Sequence, residues 1–134
     1  MRYVVEHIGL PARDTAALKD WYVRVLDAEV VYADNQMPPA FILRLPGGTQ
    51  IEIYQANSSV PETKNNKLAG WRHLALRVDS LEAARAELAA RGVEFPEPVK
   101  PAMGGGKVLF FADPEGNLLH LVERAGAAPI LNRS

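Results

Sequence analysis

The chain has three histidines, His7, His73 and His120, which fall at matching places in two halves of the sequence; the fourth matching place holds Glu52. Three imidazoles and one carboxylate suit Fe(II), Zn, Ni, Mn or Co, and with no cysteine in the chain no softer ligand is offered. A lone histidine on a strand face is more often packed or solvated than a ligand. Four metal-competent residues at repeat-equivalent positions, using every histidine present, point instead to a site for one divalent ion.

The halves align from within the sequence. Glu6-His7-Ile8-Gly9-Leu10 matches Arg72-His73-Leu74-Ala75-Leu76 at the start of each, and Pro46-Gly47-Gly48-Thr49-Gln50-Ile51-Glu52-Ile53 matches Pro114-Glu115-Gly116-Asn117-Leu118-Leu119-His120-Leu121 at the end. His7 to Glu52 spans 45 residues and His73 to His120 spans 47, so each half is one supersecondary unit carrying two candidate ligands.

The elements that must position them follow from periodicity. Residues 3–10 alternate as a strand, and Asp14 or Thr15 can cap a helix with Leu18, Trp21, Tyr22, Val25 and Leu26 on one face. Strands are expected at 29–32, 40–45 and 49–55, the last two joined by a hairpin across Pro46-Gly47-Gly48. The second half repeats this βαβββ order. Its strand at 72–78 leads into a capping box, Asp79-x-x-Glu82, opening a helix with Leu81, Ala84 and Leu88 that Gly92 stops. Strands near 93–95, 107–112 and 117–123 complete it, with Asp113-Pro114-Glu115-Gly116 as a type I turn.

Side chains alternate along a strand, so the residues beside each candidate report which face is packed. Ile51 and Ile53 flank Glu52, Leu119 and Leu121 flank His120, and Ile8 and Leu74 follow the first-strand histidines. The aliphatics therefore belong under the helices, leaving His7, Glu52, His73 and His120 on the helix-free face. If the repeats pair about a pseudo-twofold axis, all four point into one cavity. Tyr54, Trp71, Arg77, Arg44 and Phe111 are expected around it as substrate-binding residues.

The organisation is one domain over residues 1–134: repeat one at about 3–55, a polar connector at 56–70, repeat two at about 71–124 and a tail at 125–134. The connector is rich in Asn and Ser, as a flexible linker or a lid would be; the tail is either frayed or laid over a partner subunit. A length of 134 residues with 48% hydrophobic content supports a single core. A net charge of −1 without a basic run argues against nucleic acid, and no apolar run reaches the roughly 18 residues of a membrane span. A small-molecule substrate and a cytoplasmic location are the expectations. Gly104-Gly105-Gly106-Lys107 is not a phosphate loop, since Pro101 stands where a Walker-type loop has glycine and the following residues read as a strand; a mobile loop at the pocket mouth is expected instead.

The segments Glu6-His7-Ile8-Gly9-Leu10, Asp20-Trp21-Tyr22 with Val25-Leu26, Arg72 to Asp79, and Phe111-Ala112-Asp113-Pro114-Glu115-Gly116-Asn117-Leu118 resemble the vicinal oxygen chelate superfamily: glyoxalase I, methylmalonyl-CoA epimerase, fosfomycin-modifying enzymes, extradiol dioxygenases and bleomycin-binding proteins. The resemblance covers nearly the whole chain. It implies an α+β fold of paired βαβββ modules forming a curved mixed sheet, a homodimer, and one divalent metal on strands one, four, five and eight at His7, Glu52, His73 and His120. It further implies a glyoxalase-like lyase or isomerase moving a proton on a substrate that chelates the metal through adjacent oxygens. The alternatives are an Fe(II) dioxygenase acting on a catechol- or enediol-like substrate, or a non-catalytic small-molecule binding or resistance protein.

The chain departs from several members' pattern. Glyoxalase I, the fosfomycin enzymes and the extradiol dioxygenases place Glu on the last strand, where His120 stands here, so the proton-moving role passes to Glu52. Glu123 is no substitute, because three residues along a strand reverses the face. The fosfomycin enzymes have Thr where this chain has Gly9, most extradiol dioxygenases are about twice as long, and bleomycin-type binders generally lack the ligands. The sequence leaves open whether the four ligands come from one chain or two.

Overall fold

The computed structural model describes residues 1–58 and 64–130. The described residues divide into two compact units, 1–58 and 64–130, each of which contains one of the two repeats. Each unit is a βαβββ module, so the α+β class and the modular repeat expected from the sequence are observed.

The first unit runs β1 (Ile8–Ala12), α1 (Thr15–Leu26), β2 (Glu29–Ala33), β3 (Phe41–Arg44) and β4 (Gln50–Gln55), with sheet order β1-β4-β3-β2. β1 pairs parallel with β4, and β4 antiparallel with β3. Asp14 is the residue that caps α1, its carboxylate accepting from the Ala17 amide at 3.0 Å. The helix buries Leu18, Trp21, Tyr22 and Val25, the stripe its spacing requires, and packs them on β1, β3 and β4. Leu43, Ile51 and Ile53 meet that stripe and are almost fully buried. Each such aliphatic contributes about 1.5–3 kcal/mol by leaving water.

The second unit runs β5 (His73–Arg77), α2 (Leu81–Ala90), β6 (Lys100–Pro101), β7 (Lys107–Ala112) and β8 (Leu118–Glu123), in the order β5-β8-β7-β6. Parallel β5–β8 and antiparallel β7–β8 pairing reproduce the first unit's arrangement. Leu109, Phe111, Leu119 and Leu121 form the core beneath α2 together with Leu81 and Leu88. The Asp113 turn is held by its own carboxylate, which accepts from the amides of Glu115 and Asn117 at 2.9 and 3.0 Å.

Three local expectations are corrected. The first strand begins at Ile8 rather than residue 3, and Tyr3, Val4 and Val5 are exposed and outside any strand. The edge strand of the second unit is Lys100–Pro101, not 93–95. α2 is capped by Ser80, whose hydroxyl accepts from the Ala83 amide at 3.1 Å. Asp79, one residue earlier, instead accepts the Ile130 amide at 2.9 Å, which ties the tail back onto its own unit. No helix among the described residues is long and apolar enough to cross a membrane.

The Gly104–Gly106 segment is the β6–β7 hairpin turn, and a strand follows it rather than a helix. The Arg124 guanidinium donates to the carbonyls of Met103 and Gly105, so the loop is clamped rather than free.

Candidate metal centre

Strand register places the candidates. In the first unit Glu52 on β4 lies opposite Gly9 on β1, and His7 is the residue immediately before β1. In the second, His120 on β8 lies opposite Ala75 on β5, two residues beyond His73. The fourth-strand candidate thus faces the position two after the first-strand histidine in both modules. The alignment of Glu52 with His120 holds at the level of hydrogen-bonded pairs.

His7 and Glu52 meet. Nε2 of His7 is 3.5 Å from Oε2 of Glu52, and both side chains are a little over a third exposed, at 37% and 38%. The other ring nitrogen is taken: Nδ1 of His7 donates to the Glu6 carboxylate at 2.9 Å. A carboxylate accepts only, so this bond fixes the proton on Nδ1 and leaves the Nε2 lone pair toward Glu52.

His73 and His120 meet as well, their ring centroids 4.5 Å apart. Nδ1 of His73 is bonded to Oδ1 of Asn66 at 2.7 Å, which fixes the same tautomer as in His7 by a different partner. His120 is buried, and its Nδ1 is a buried polar atom without a hydrogen-bond partner. Its pKa is lowered from 6.5 to about 4, first by desolvation and then by electrostatic repulsion from His73 and Arg124, so at neutral pH it is an uncharged imidazole. A neutral imidazole is the form that binds a metal.

Phe110 on β7 lies opposite His120, with centroids 4.8 Å apart, and its ring is 5.8 Å from that of His73. Phe111 points the other way, into the core against Phe95. The aromatic on the histidine face is therefore Phe110, not Phe111; two adjacent phenylalanines give no face preference in sequence, and only the register separates them.

The remaining substrate-side candidates are placed as follows. Tyr54 shares the Glu52 face and its hydroxyl lies near Gly9, where a Cβ would be 3.2 Å from that oxygen, so a side chain at position 9 would crowd the tyrosine. Arg44 is on the same face by register and pairs with Glu29 at 3.7 Å. Arg77 follows His73 on β5 and donates to the Ala128 carbonyl of the tail. Trp71 precedes β5 and is fully exposed. Glu123 is on the helix side of β8, where it accepts the Leu81 amide at 2.8 Å at the start of α2. It has a structural partner there and is turned away from His120.

The donors of each pair are of the types that bind a divalent ion. The donors are imidazole and carboxylate, two of the histidines present a defined Nε2, and the third has a buried unsatisfied nitrogen. Two donors each about 2.1 Å from one ion stand about 3.0 Å apart at a right angle and about 3.4 Å apart at the tetrahedral angle, close to the His7–Glu52 spacing. Each unit supplies a pair, and no group of three or more His, Cys, Asp or Glu side chains in ligating arrangement occurs among the described residues. The repeat alignment does not mark Glu6 or Asn66 as partners: Glu6 is adjacent to His7 in sequence, whereas Asn66 sits seven residues from His73 in a connector with no periodicity.

A family model described as the glyoxalase/bleomycin resistance protein/dioxygenase superfamily matches residues 4–121. The uncharacterized protein YwkD of Bacillus subtilis is 31% identical over 124 residues, covering 90% of this chain and 96% of its own. Biphenyl-2,3-diol 1,2-dioxygenase 2 of Rhodococcus globerulus is 31% identical over 118 residues, 86% of this chain but 60% of the longer enzyme. Among solved structures, a glyoxalase family protein from Enterococcus faecalis superposes with a TM-score of 0.75 at 30% identity, covering 90% of this chain and 97% of that one. The fosfomycin resistance protein FosX of Listeria monocytogenes, in complex with Mn(II) and sulfate, shares the fold with a TM-score of 0.71 at 22% identity and covers 94% of both chains.

Proposed function

The chain belongs to the glyoxalase/bleomycin resistance protein/dioxygenase superfamily, and from that premise we propose that it is a divalent-metal-dependent enzyme of glyoxalase type. His7, Glu52, His73 and His120 would hold one ion, the two pairs coming from the halves of one chain or of two chains in a homodimer. The observation that carries this reading is the pairing, in each module, of a first-strand histidine with a fourth-strand donor at repeat-equivalent register.

A bound divalent ion would supply Lewis acidity to the adjacent oxygens of a chelating substrate and so favour loss of a neighbouring C–H proton. Glu52 is the proton acceptor, since it is the carboxylate of the set and stands 3.5 Å from His7 with more than a third of its side chain exposed to an incoming substrate. His120, buried and uncharged at neutral pH, would offer a lone pair to the ion rather than a proton to the substrate. Phe110 and Tyr54 supply an apolar and a hydroxyl-bearing wall. One carboxylate against a divalent ion leaves a first shell of about +1, which favours an anionic, enediolate-like ligand.

A second reading, an Fe(II) dioxygenase acting on a catechol-like substrate, is favoured by the biphenyl-diol dioxygenase relative. Metal analysis of protein purified without chelator, followed by turnover of Glu52→Gln on dicarbonyl and catechol panels, separates the readings. Metal retained with dicarbonyl turnover lost supports proton transfer. Catechol turnover that survives Glu52→Gln and requires O₂ supports the dioxygenase. Bound metal with no turnover leaves a small-molecule binder, and absence of metal overturns the metal readings.

A further inference from the structure

The two first-strand histidines have the same tautomer imposed by unlike partners. Glu6 holds Nδ1 of His7 from the adjacent position, and Asn66 holds Nδ1 of His73 from the connector, seven residues away. The 2.7 Å contact to Asn66 is the shorter of the two, although both partners lie at exposed sites. Unconstrained neutral imidazole favours the tautomer with its proton on Nε2. That form presents Nδ1, the nitrogen nearer the backbone, and leaves Nε2 protonated with no lone pair for a metal. The Asn66 carbonyl oxygen accepts from Nδ1 and reverses the preference, so that the Nε2 lone pair is the one presented.

We propose that Asn66 is a positioning residue for His73: it selects the Nδ1–H tautomer before any metal arrives, and so makes the connector part of the metal centre rather than a passive link. This rests on the reading of His73 as a ligand. In the metal-free protein the bond removes one of the two ring states and restrains ring rotation, so less is lost on coordination. Replacing Asn66 by Ala leaves no fold-building contact unmade, because the residue is exposed and outside any helix or strand.

The test compares wild type, Asn66→Ala and Asn66→Asp, first without metal and then titrated with Zn(II) and Mn(II). In the metal-free wild type, ring nitrogen chemical shifts show His73 as the Nδ1–H tautomer. In Asn66→Ala the Nε2–H tautomer predominates and metal affinity falls about 10- to 100-fold, with the unfolding midpoint unchanged. In Asn66→Asp, which keeps an acceptor at the same place, the Nδ1–H tautomer and the affinity return. A wild-type His73 in the Nε2–H form, or an Ala variant with unaltered tautomer and affinity, would overturn the inference. If wild type binds neither ion, the metal reading fails, and the shift measurement still decides what Asn66 does to His73.

Discussion

Nε2 of His7 lies 3.5 Å from Oε2 of Glu52, and this contact joins the residue just before β1 to one on β4, strands that pair in parallel register. The second module builds the same relationship between His73 and His120 on β5 and β8. Equivalent placement predicts equivalent loss. His7→Ala and His73→Ala should each lower metal affinity by roughly 100-fold or more, since removing a ligand costs at least as much as removing its supporting partner. Calorimetric titration of both variants checks this; an effect confined to one module would mean that only that pair binds.

In the proposed centre His120 is an uncharged donor, which leaves Glu52 as the single carboxylate. His120→Glu changes the first shell from about +1 to about zero, so an anionic substrate analogue should bind roughly 10-fold more weakly while the divalent ion is kept. Competition binding with a charged and a neutral analogue reads the difference. Equal loss for both would mean that shape at this buried position outweighs charge.

The same residue makes the metal-free protein acid-sensitive. Its folded pKa of about 4 is below the 6.5 of an unfolded histidine, so between those values the unfolded chain binds the extra proton. The stability is fully present above about pH 6.5 and is lost as pH falls toward 4, at up to about 1.4 kcal/mol per pH unit. Denaturant unfolding in the presence of chelator should show that slope, and His120→Asn should flatten it. An unchanged slope in the variant would assign the acid sensitivity to other groups.

Much of this was legible in sequence because repetition supplies its own control. The match of Pro46-Gly47-Gly48 with Pro114-Glu115-Gly116 placed Glu52 and His120 in register, and the observed pairing agrees. The stripe of α1 was equally readable, since Leu18, Trp21, Tyr22 and Val25 recur at helical spacing and are the residues it buries. What escaped was decided by tertiary context. Tyr3-Val4-Val5 has strand composition, yet those residues join no strand of the sheet. Asp79 and Ser80 are both good caps, and the choice fell to the tail, whose Ile130 amide engages Asp79. Asn66 carries no periodic signal at all.

The glycine hairpin offers a stability test that needs no metal. Gly105 and Gly106 share the same φ of +97°, a region that strains any residue with a Cβ, but their surroundings differ. A Cβ at Gly105 meets nothing within 4 Å, whereas one at Gly106 would lie 1.9 Å from the backbone oxygen of Glu123. Backbone cannot swing aside as a flexible side chain can, and Glu123 closes β8 while accepting the first amide of α2. Gly105→Ala should therefore cost about 1 kcal/mol from conformation alone. Gly106→Ala should cost at least about 1–2 kcal/mol more, because the end of β8 must move. Equal midpoints for the two variants in urea would show that the hairpin relaxes away from β8 rather than bearing on it.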